Sequence, residues 1–415
     1  MLWPPEWDTV ESLDLLAGSP IDCLLFEGEA PARLVEQARA RGIVSAPLAV
    51  MEISKEPWNA PDQVLRLGGG SWPRVKGAKA GSDTVEAGPT GLPWVDFNGW
   101  MVEVARACAP DKTVWLEYGY PSDAGLVPPG AYALAVADAE AARGRWVVNL
   151  DPDMRRDLAG RKEEAVREWK GLAAALRFFE SHREWRSWGR KGGLAVLSDF
   201  AGPNETFGGE MLNLLARRGV PMLALDKRRP SAILWQKLRA VFYGDQQPPD
   251  AALKSALDGF VRQGGLVIAG HQFPRPPAKP EPPEPYPAYD IFRLGKGRLA
   301  ISREELADPW FAAGDAQLLA SRRNDTVRFW NGGATNFYFT ASPDGARDLL
   351  QIVCYASSKR QTPVTAGVCG RYRRARQWRI GRESAEPLAM RAAGDNWHEI
   401  DLPDLNVYAA IELER

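Results

Sequence analysis

The chain has little of what many catalytic centres are made from. Only three histidines occur in 415 residues, His182, His271 and His398, and they lie far apart. That leaves too few imidazoles for a histidine-rich metal centre and speaks against a Ser-His-Asp triad. Cysteine is as scarce. Cys23, Cys108, Cys354 and Cys369 show no Cys-x-x-Cys spacing. They sit in apolar segments and read as buried thiols, not as a zinc site or a disulfide framework. The spacing leaves a Cys354–Cys369 bridge across neighbouring strands open. Neither sign of charge is in excess: 52 Lys and Arg against 53 Asp and Glu leave a net charge of −1. Proteins that read nucleic acid usually carry a basic face, which this balance disfavours. No apolar run reaches the ~18 residues expected of a membrane span. The first residues lack the charged-then-apolar pattern of a signal peptide. No metal, cofactor, nucleic acid or membrane is therefore expected. As written, the chain is expected in the cytoplasm, although a mature or truncated form of an exported protein would look the same.

Tryptophan, by contrast, is abundant. There are 16, and eleven precede residue 190. Trp115, Trp146 and Trp169 fall in regular apolar segments and read as core. Others, such as Trp72 and Trp94, fall in polar or Gly/Pro-rich loops, where core packing does not call for them. Aromatic faces in a cleft suit the apolar faces of sugar rings.

Strands and helices alternate over residues 1–190. The clearest strand is 112–120, KTVWLEYGY, bounded by Pro110-Asp111 and Pro121. Other strands are expected at 22–26, 46–51, 63–67, 84–87 and 145–150, with helices at 31–41, 98–109, 129–142 and 163–184. Such alternation predicts parallel strands covered by helices, here an incomplete (β/α)8 TIM-type barrel, since ~250 residues is the usual size. Residues at the C-terminal ends of barrel strands face the active site. Four acids stand there: Glu27, Glu52, Glu117 and Asp151. Glycoside hydrolysis needs two carboxyl groups, one protonated and one ionised. Glu117 and Asp151 lie on consecutive predicted strands. They are the first candidates for general acid and for nucleophile or base, with Glu27 and Glu52 as substitutes. Trp72, Trp94, Tyr118, Tyr120 and Asp96 are candidates for binding substrate. Asp96 fits a helix N-terminal cap equally well.

Residues 191–290 predict a small doubly wound α/β domain of flavodoxin type, with the Pro-rich run 274–287 as an extended arm. Residues 291–415 read as short alternating strands separated by Gly, Asn and Pro turns, which predicts a small β-sandwich.

The middle region resembles the class-I glutamine-amidotransferase-like domain, in the non-catalytic version that is the second domain of family 42 β-galactosidases. Residues 194–200, the helix before Gly219-Val220-Pro221, and 251–269 with its Phe260-Val261-Arg262-Gln263-Gly264-Gly265 ending carry the resemblance. Amidotransferases of this fold place a nucleophilic cysteine at a strand-to-helix turn. The corresponding Phe242-Tyr243-Gly244-Asp245 has none, so the resemblance implies a structural domain, and with it a subunit interface between copies of the chain. The order barrel, amidotransferase-like domain, β domain is similar to the same galactosidases, as is the closing strand 402–413. Those enzymes carry their acid in an Asn-Glu pair at a barrel strand end. The only Asn-Glu here, Asn204-Glu205, lies in the middle region. Two functions therefore stay open: a glycoside hydrolase, and a non-catalytic carbohydrate-binding or scaffold protein with a degenerate barrel. A metal-dependent hydrolase barrel is disfavoured by the scattered histidines.

Overall fold

The computed structural model describes residues 1–75, 94–95, 97–120, 130–282, 287–321, 325–356, 363–403 and 405–415. The strand expected at 84–87 and the candidate Asp96 lie outside them.

The first region is built on β1 (Cys23–Phe26), β2 (Val44–Pro47), β3 (Val64–Ser71), β4 (Thr113–Gly119) and β5 (Arg145–Trp146). β1 and β2 pair in parallel, as do β3, β4 and β5 in that order. Met51, just past β2, joins the two sets by bonding Arg66 and Gly68 on β3. Residues 1–3 close the other side. Leu2 bridges Leu25 of β1 and donates to Val148, just past β5, at 2.8 Å. Backbone hydrogen bonds thus run from strand to strand right round a ring of six segments among the described residues, where the sequence pointed to a barrel of up to eight. The N-terminal segment contributes only about three residues, too short to show a strand period.

Around the ring lie α1 (Ala32–Ala40), α2 (Gly99–Cys108), α3 (Ala131–Ala141), α4 (Pro152–Ala159) and α5 (Glu163–Ser181). Side chains alternate across a strand, so β4 sends Val114, Leu116 and Tyr118 outward to these helices, all fully buried. Each such aliphatic side chain contributes roughly 1.5–3 kcal/mol by leaving water. Trp115 and Glu117 point the other way. Trp115 lies under the Arg66 guanidinium, 5.7 Å from its ring centre. α3 is almost wholly buried, its Asp138 and Glu140 included. A helix of that kind needs cover on every side. The ring covers one side of α3, and a sheet from the C-terminal region covers another.

The middle sheet has the order β11-β12-β10-β9-β7-β8, from β7 (Leu194–Ser198), β8 (Met222–Asp226), β9 (Ala240–Tyr243), β10 (Leu266–Ala269), β11 (Tyr289–Leu294) and β12 (Gly297–Ser302). All pairs are parallel except β11 with β12. α6 (Pro203–Arg217), α7 (Ala251–Arg262) and α8 (Pro309–Ala320) flank it. Asp250 caps α7 by accepting from Leu253 N at 2.8 Å. The boundary expected near 290 falls inside β11, so this sheet takes in two strands that the sequence assigned to the β region.

Beyond it, two antiparallel sheets face each other. One has the order β13-β16-β20-β19 and the other β18-β17-β21-β15-β14-β6. In chain order they comprise β6 (Gly189–Arg190), β13 (Val327–Trp330), β14 (Thr335–Ala341), β15 (Arg347–Cys354), β16 (Val364–Cys369), β17 (Arg374–Trp378), β18 (Glu386–Leu388), β19 (Arg391–Ala392), β20 (Trp397–Leu402) and β21 (Tyr408–Glu414). Phe339, Leu350, Ile352, Ile400 and Ile411 fill the space between the sheets. β15 is buried on both faces because its outer face packs on α3. The expected break near 190 coincides with β6, which pairs with β14. Cys354 and Cys369 are not joined by a disulfide, nor are Cys23 and Cys108.

Candidate functional site

The β3–β4 pair carries the site. Its register slips between Leu67 and Gly70, where Gly69 adopts φ +84°. An extra residue at such a bulge re-aims its neighbours. Gly68 is buried and lets Val50 and Glu117 come close: a methyl group there would lie 3.7 Å from Glu117 Oε2 and 3.2 Å from Val50 Cγ2. Val50, at the end of the next strand segment, is 38% exposed.

Glu117 is half-buried. Burial pushes its carboxyl above the usual carboxylate range, and the negative charge of Glu27 adds to the shift. Glu27 itself is exposed at the end of β1. A partly desolvated carboxyl beside an exposed one can divide the two roles of an acid–base pair. The neighbour expected to act on Glu117 was Asp151; Glu27 takes that place.

Asp151 is engaged elsewhere. It caps α4, accepting from Asp153 N at 3.0 Å and Met154 N at 3.1 Å, with Pro152 in the first turn. Its other oxygen accepts from the Tyr132 hydroxyl. An Asp-Pro step opening a helix is a legible capping signal. Tyr120 lies between the two acids. Its hydroxyl is buried without a partner, and its pKa is raised by burial and then by the charge of Asp151, with Arg155 opposing and Glu117 adding.

The other binding candidates divide differently from expectation. Tyr118 faces the helices and donates to Asp138 on α3 at 2.9 Å, so it is core. Trp72 is 6% exposed, stacked on Tyr120 at 4.9 Å and edge-on to Tyr132 and Trp146. It supports Tyr120 and offers no open face. Trp94 is held under the Arg217 guanidinium of α6, 3.3 Å from its ring centre. Loop position alone does not distinguish a sugar platform from a residue that packs between elements. The segments 76–93 and 121–129, which follow β3 and β4, lie outside the described residues.

No family model and no curated protein matches the sequence. Solved structures do match. An α-L-fucosidase from Paenibacillus thiaminolyticus superposes with TM-score 0.56 at 11% identity, over 98% of this chain and 79% of that one. A catalytic mutant of a family 42 β-galactosidase from G. stearothermophilus gives 0.54 at 11% identity, over 92% and 67%. The chain has a family 42 β-galactosidase-like architecture. A rhamnosidase from Novosphingobium sp. PP1Y gives 0.54 at 12% identity over 92% of this chain, which spans 38% of the rhamnosidase. At these identities the likeness is one of fold.

Of the Asn204-Glu205 step, Asn204 bonds within the middle region, to Asp199 and Gln246, while Glu205 meets the segment after β2. Glu205 sits in the first turn of α6, where burial raises its pKa and Glu52 raises it further, while the Ser54 backbone N–H bonds it. Glu52 accepts from Ser54 Oγ at 3.2 Å and is exposed. The segment after Glu52 is tied to the middle region by Arg228, which pairs with Glu56 at 2.5 Å and lies over Trp58. Glu52 therefore belongs to an inter-region contact, apart from the Glu117–Glu27 pair. Sequence reasoning left Glu205 in the middle region and missed Arg228, because nothing local marks a partner about 150 residues away. A separate cleft lined by Gly193, Leu194, Val220, Arg239, Ala240 and Ser321 gathers at the N-terminal ends of β7 and β9. It shares no residue with the acidic site.

Proposed function

We propose that this protein is a glycoside hydrolase acting on a carbohydrate at the C-terminal mouth of an abbreviated TIM-type barrel, with Glu117 as general acid and Glu27 as the second carboxylate. The raised pKa of Glu117 beside Glu27 carries the reading. A general acid must hold its proton near working pH, and these two causes, burial and a neighbouring negative charge, act in that direction. The exposed Glu27 takes the nucleophile or base role. Asp151, spent on a helix cap, is the weaker candidate. The glycoside hydrolases of like architecture support the substrate class.

A panel of aryl glycosides tests this. Glu117→Gln should lower turnover by about 10²–10⁴-fold while sugar binding persists, with the smallest loss for the best leaving groups. Equal turnover by wild type and Glu117→Gln removes Glu117 from the mechanism. A second reading, a non-catalytic carbohydrate-binding or scaffold protein, is favoured by the place of Asn204-Glu205, which stands on α6 and not at a strand end of the first region. Sugar binding by calorimetry without turnover of any glycoside would select it.

A further inference from the structure

On the far side of the barrel from the acidic site, charge does not balance. Glu103, on α2, is 4% exposed. Two guanidinium groups converge on it: Arg143 Nη2 at 3.2 Å and Arg190 Nε at 3.0 Å. Arg143 follows α3 at φ +72°, and Arg190 belongs to β6. Their side chains are only 10% and 7% exposed. A third cation, Arg106, stands one turn along α2 from Glu103. Among the described residues it has no hydrogen bond or ion pair, and burial lowers its pKa. Three positive charges therefore face one carboxylate.

The excess is not removed by deprotonation. Burial lowers Arg143 to about 10, Glu103 opposing and the charges of Arg106 and Arg190 adding, so it stays ionised at neutral pH. Nor does the other buried acid nearby compensate. Asp138 is fully buried, but its donors are Tyr355, Asn98 and Tyr118, all neutral. The Tyr338 ring lies 4.8 Å under Arg190 and offers a π face, not a charge. Arg143 Nη1 reaches the Trp188 carbonyl at 3.3 Å, while Arg143 Nε is buried with no acceptor. A guanidinium has no other way to satisfy an N–H directed away from water.

We propose that a small inorganic anion of chloride class binds between Arg143 and Arg106, accepting from Arg143 Nε and balancing the cluster. The site joins α2, the turn after α3, and β6, which is an edge strand of the C-terminal sheet. Its occupant would fasten the barrel to that sheet. The anion is a structural ligand, and the proposal is independent of any hydrolase activity.

Thermal unfolding in sodium chloride against sodium gluconate at equal ionic strength tests it, since general screening is then the same in both salts. Chloride should raise Tm saturably, by on the order of 1–3 °C over gluconate. Arg106→Gln, which alters a half-exposed position, should fold and lose most of that increment. Crystals of the wild type soaked in sodium bromide should show an anomalous peak beside Arg143 Nε. Equal Tm in the two salts, an increment kept in full by Arg106→Gln, or no bromide peak at Arg143 overturns the proposal.

Discussion

Two pairs of carboxylates stand at the C-terminal ends of parallel strands in this molecule, and only one is left uncompensated. In the middle sheet, Asp199 follows β7 and Asp245 follows β9, on either side of the point where strand order reverses. Ligands of open α/β sheets bind at such points. Here Lys227 fills the place, 2.7 Å from Asp199 and 2.5 Å from Asp245. Burial alone would raise Asp199, but donors from Lys227, Asn204 and Ala201 pull it below the usual range. Burial would lower Lys227, yet the two acids raise it. Around Glu117 and Glu27 no such cation stands among the described residues, and burial pushes the half-buried Glu117 up, as it does Asp245 despite Lys227. Similar topology thus yields an internal ion-pair cluster in one region and a half-buried acid of raised pKa in the other.

The largest expected effects separate the two pairs by the property each controls. Glu117→Gln should cost about 10²–10⁴-fold in turnover, and Asp199→Asn no more than a few-fold. Lys227→Met should do the reverse. It strands Asp245, whose side chain is 3% exposed, without its counter-charge, and should lower stability by about 3–5 kcal/mol in denaturant titration. Turnover per folded molecule should stay within a few-fold. A Lys227→Met protein as stable as wild type, or one stable but inactive, would erase the contrast.

Much of this was legible before the structure. The β4 strand, its alternation and its terminal Glu117 follow from KTVWLEYGY, and Glu27 was among the strand-end acids. The choice between Glu27 and Asp151 was not legible from strand order, because it depends on which side chain is already spent on a cap. Asp151-Pro152 held that information in its local chemistry. The burial of Trp72 and Tyr118 was not legible for another reason. It depends on α3, through Tyr132 and Asp138, and that contact leaves no local pattern. The middle boundary moved because β11 and β12 look the same whether they join a parallel sheet's edge or a sandwich.

A medium-sized effect lies in pH dependence. Glu27 raises the Glu117 pKa, so Glu27→Gln should lower it, and the basic limb of any remaining kcat/KM profile should move to lower pH. Stability responds with the opposite preference. A carboxyl raised on folding stabilises in its protonated form, and that contribution is lost as pH rises through the folded pKa. Glu117→Gln should therefore have a slightly higher Tm than wild type at pH 7, and the gain should vanish below the unfolded value of about 4.3. A Tm difference that grows on acidification would contradict the assigned shift.

The smallest expected effect probes the packing of Gly68 beside Glu117. Gly68→Ala adds a methyl 3.7 Å from Glu117 Oε2 and 3.2 Å from Val50 Cγ2. Val50 is exposed enough to give way, and Gly68 itself is not in the left-handed region, so the fold should tolerate the change. The methyl adds apolar contact on one side of the carboxyl. Poorer solvation disfavours the ionised form, so the Glu117 pKa should rise and the basic limb should move up by a fraction of a unit. Gly70→Ala, two residues along, is the control. Its methyl would meet the Glu117 backbone oxygen at 2.8 Å and Tyr118 Cδ1 at 2.7 Å, so it should destabilise the β3–β4 pair itself. If Gly68→Ala moves the limb down, or leaves it fixed while Gly70→Ala is harmless, then Glu117 faces solvent more freely than this geometry allows. The distinction from the Lys227 cluster would then rest on the missing cation alone.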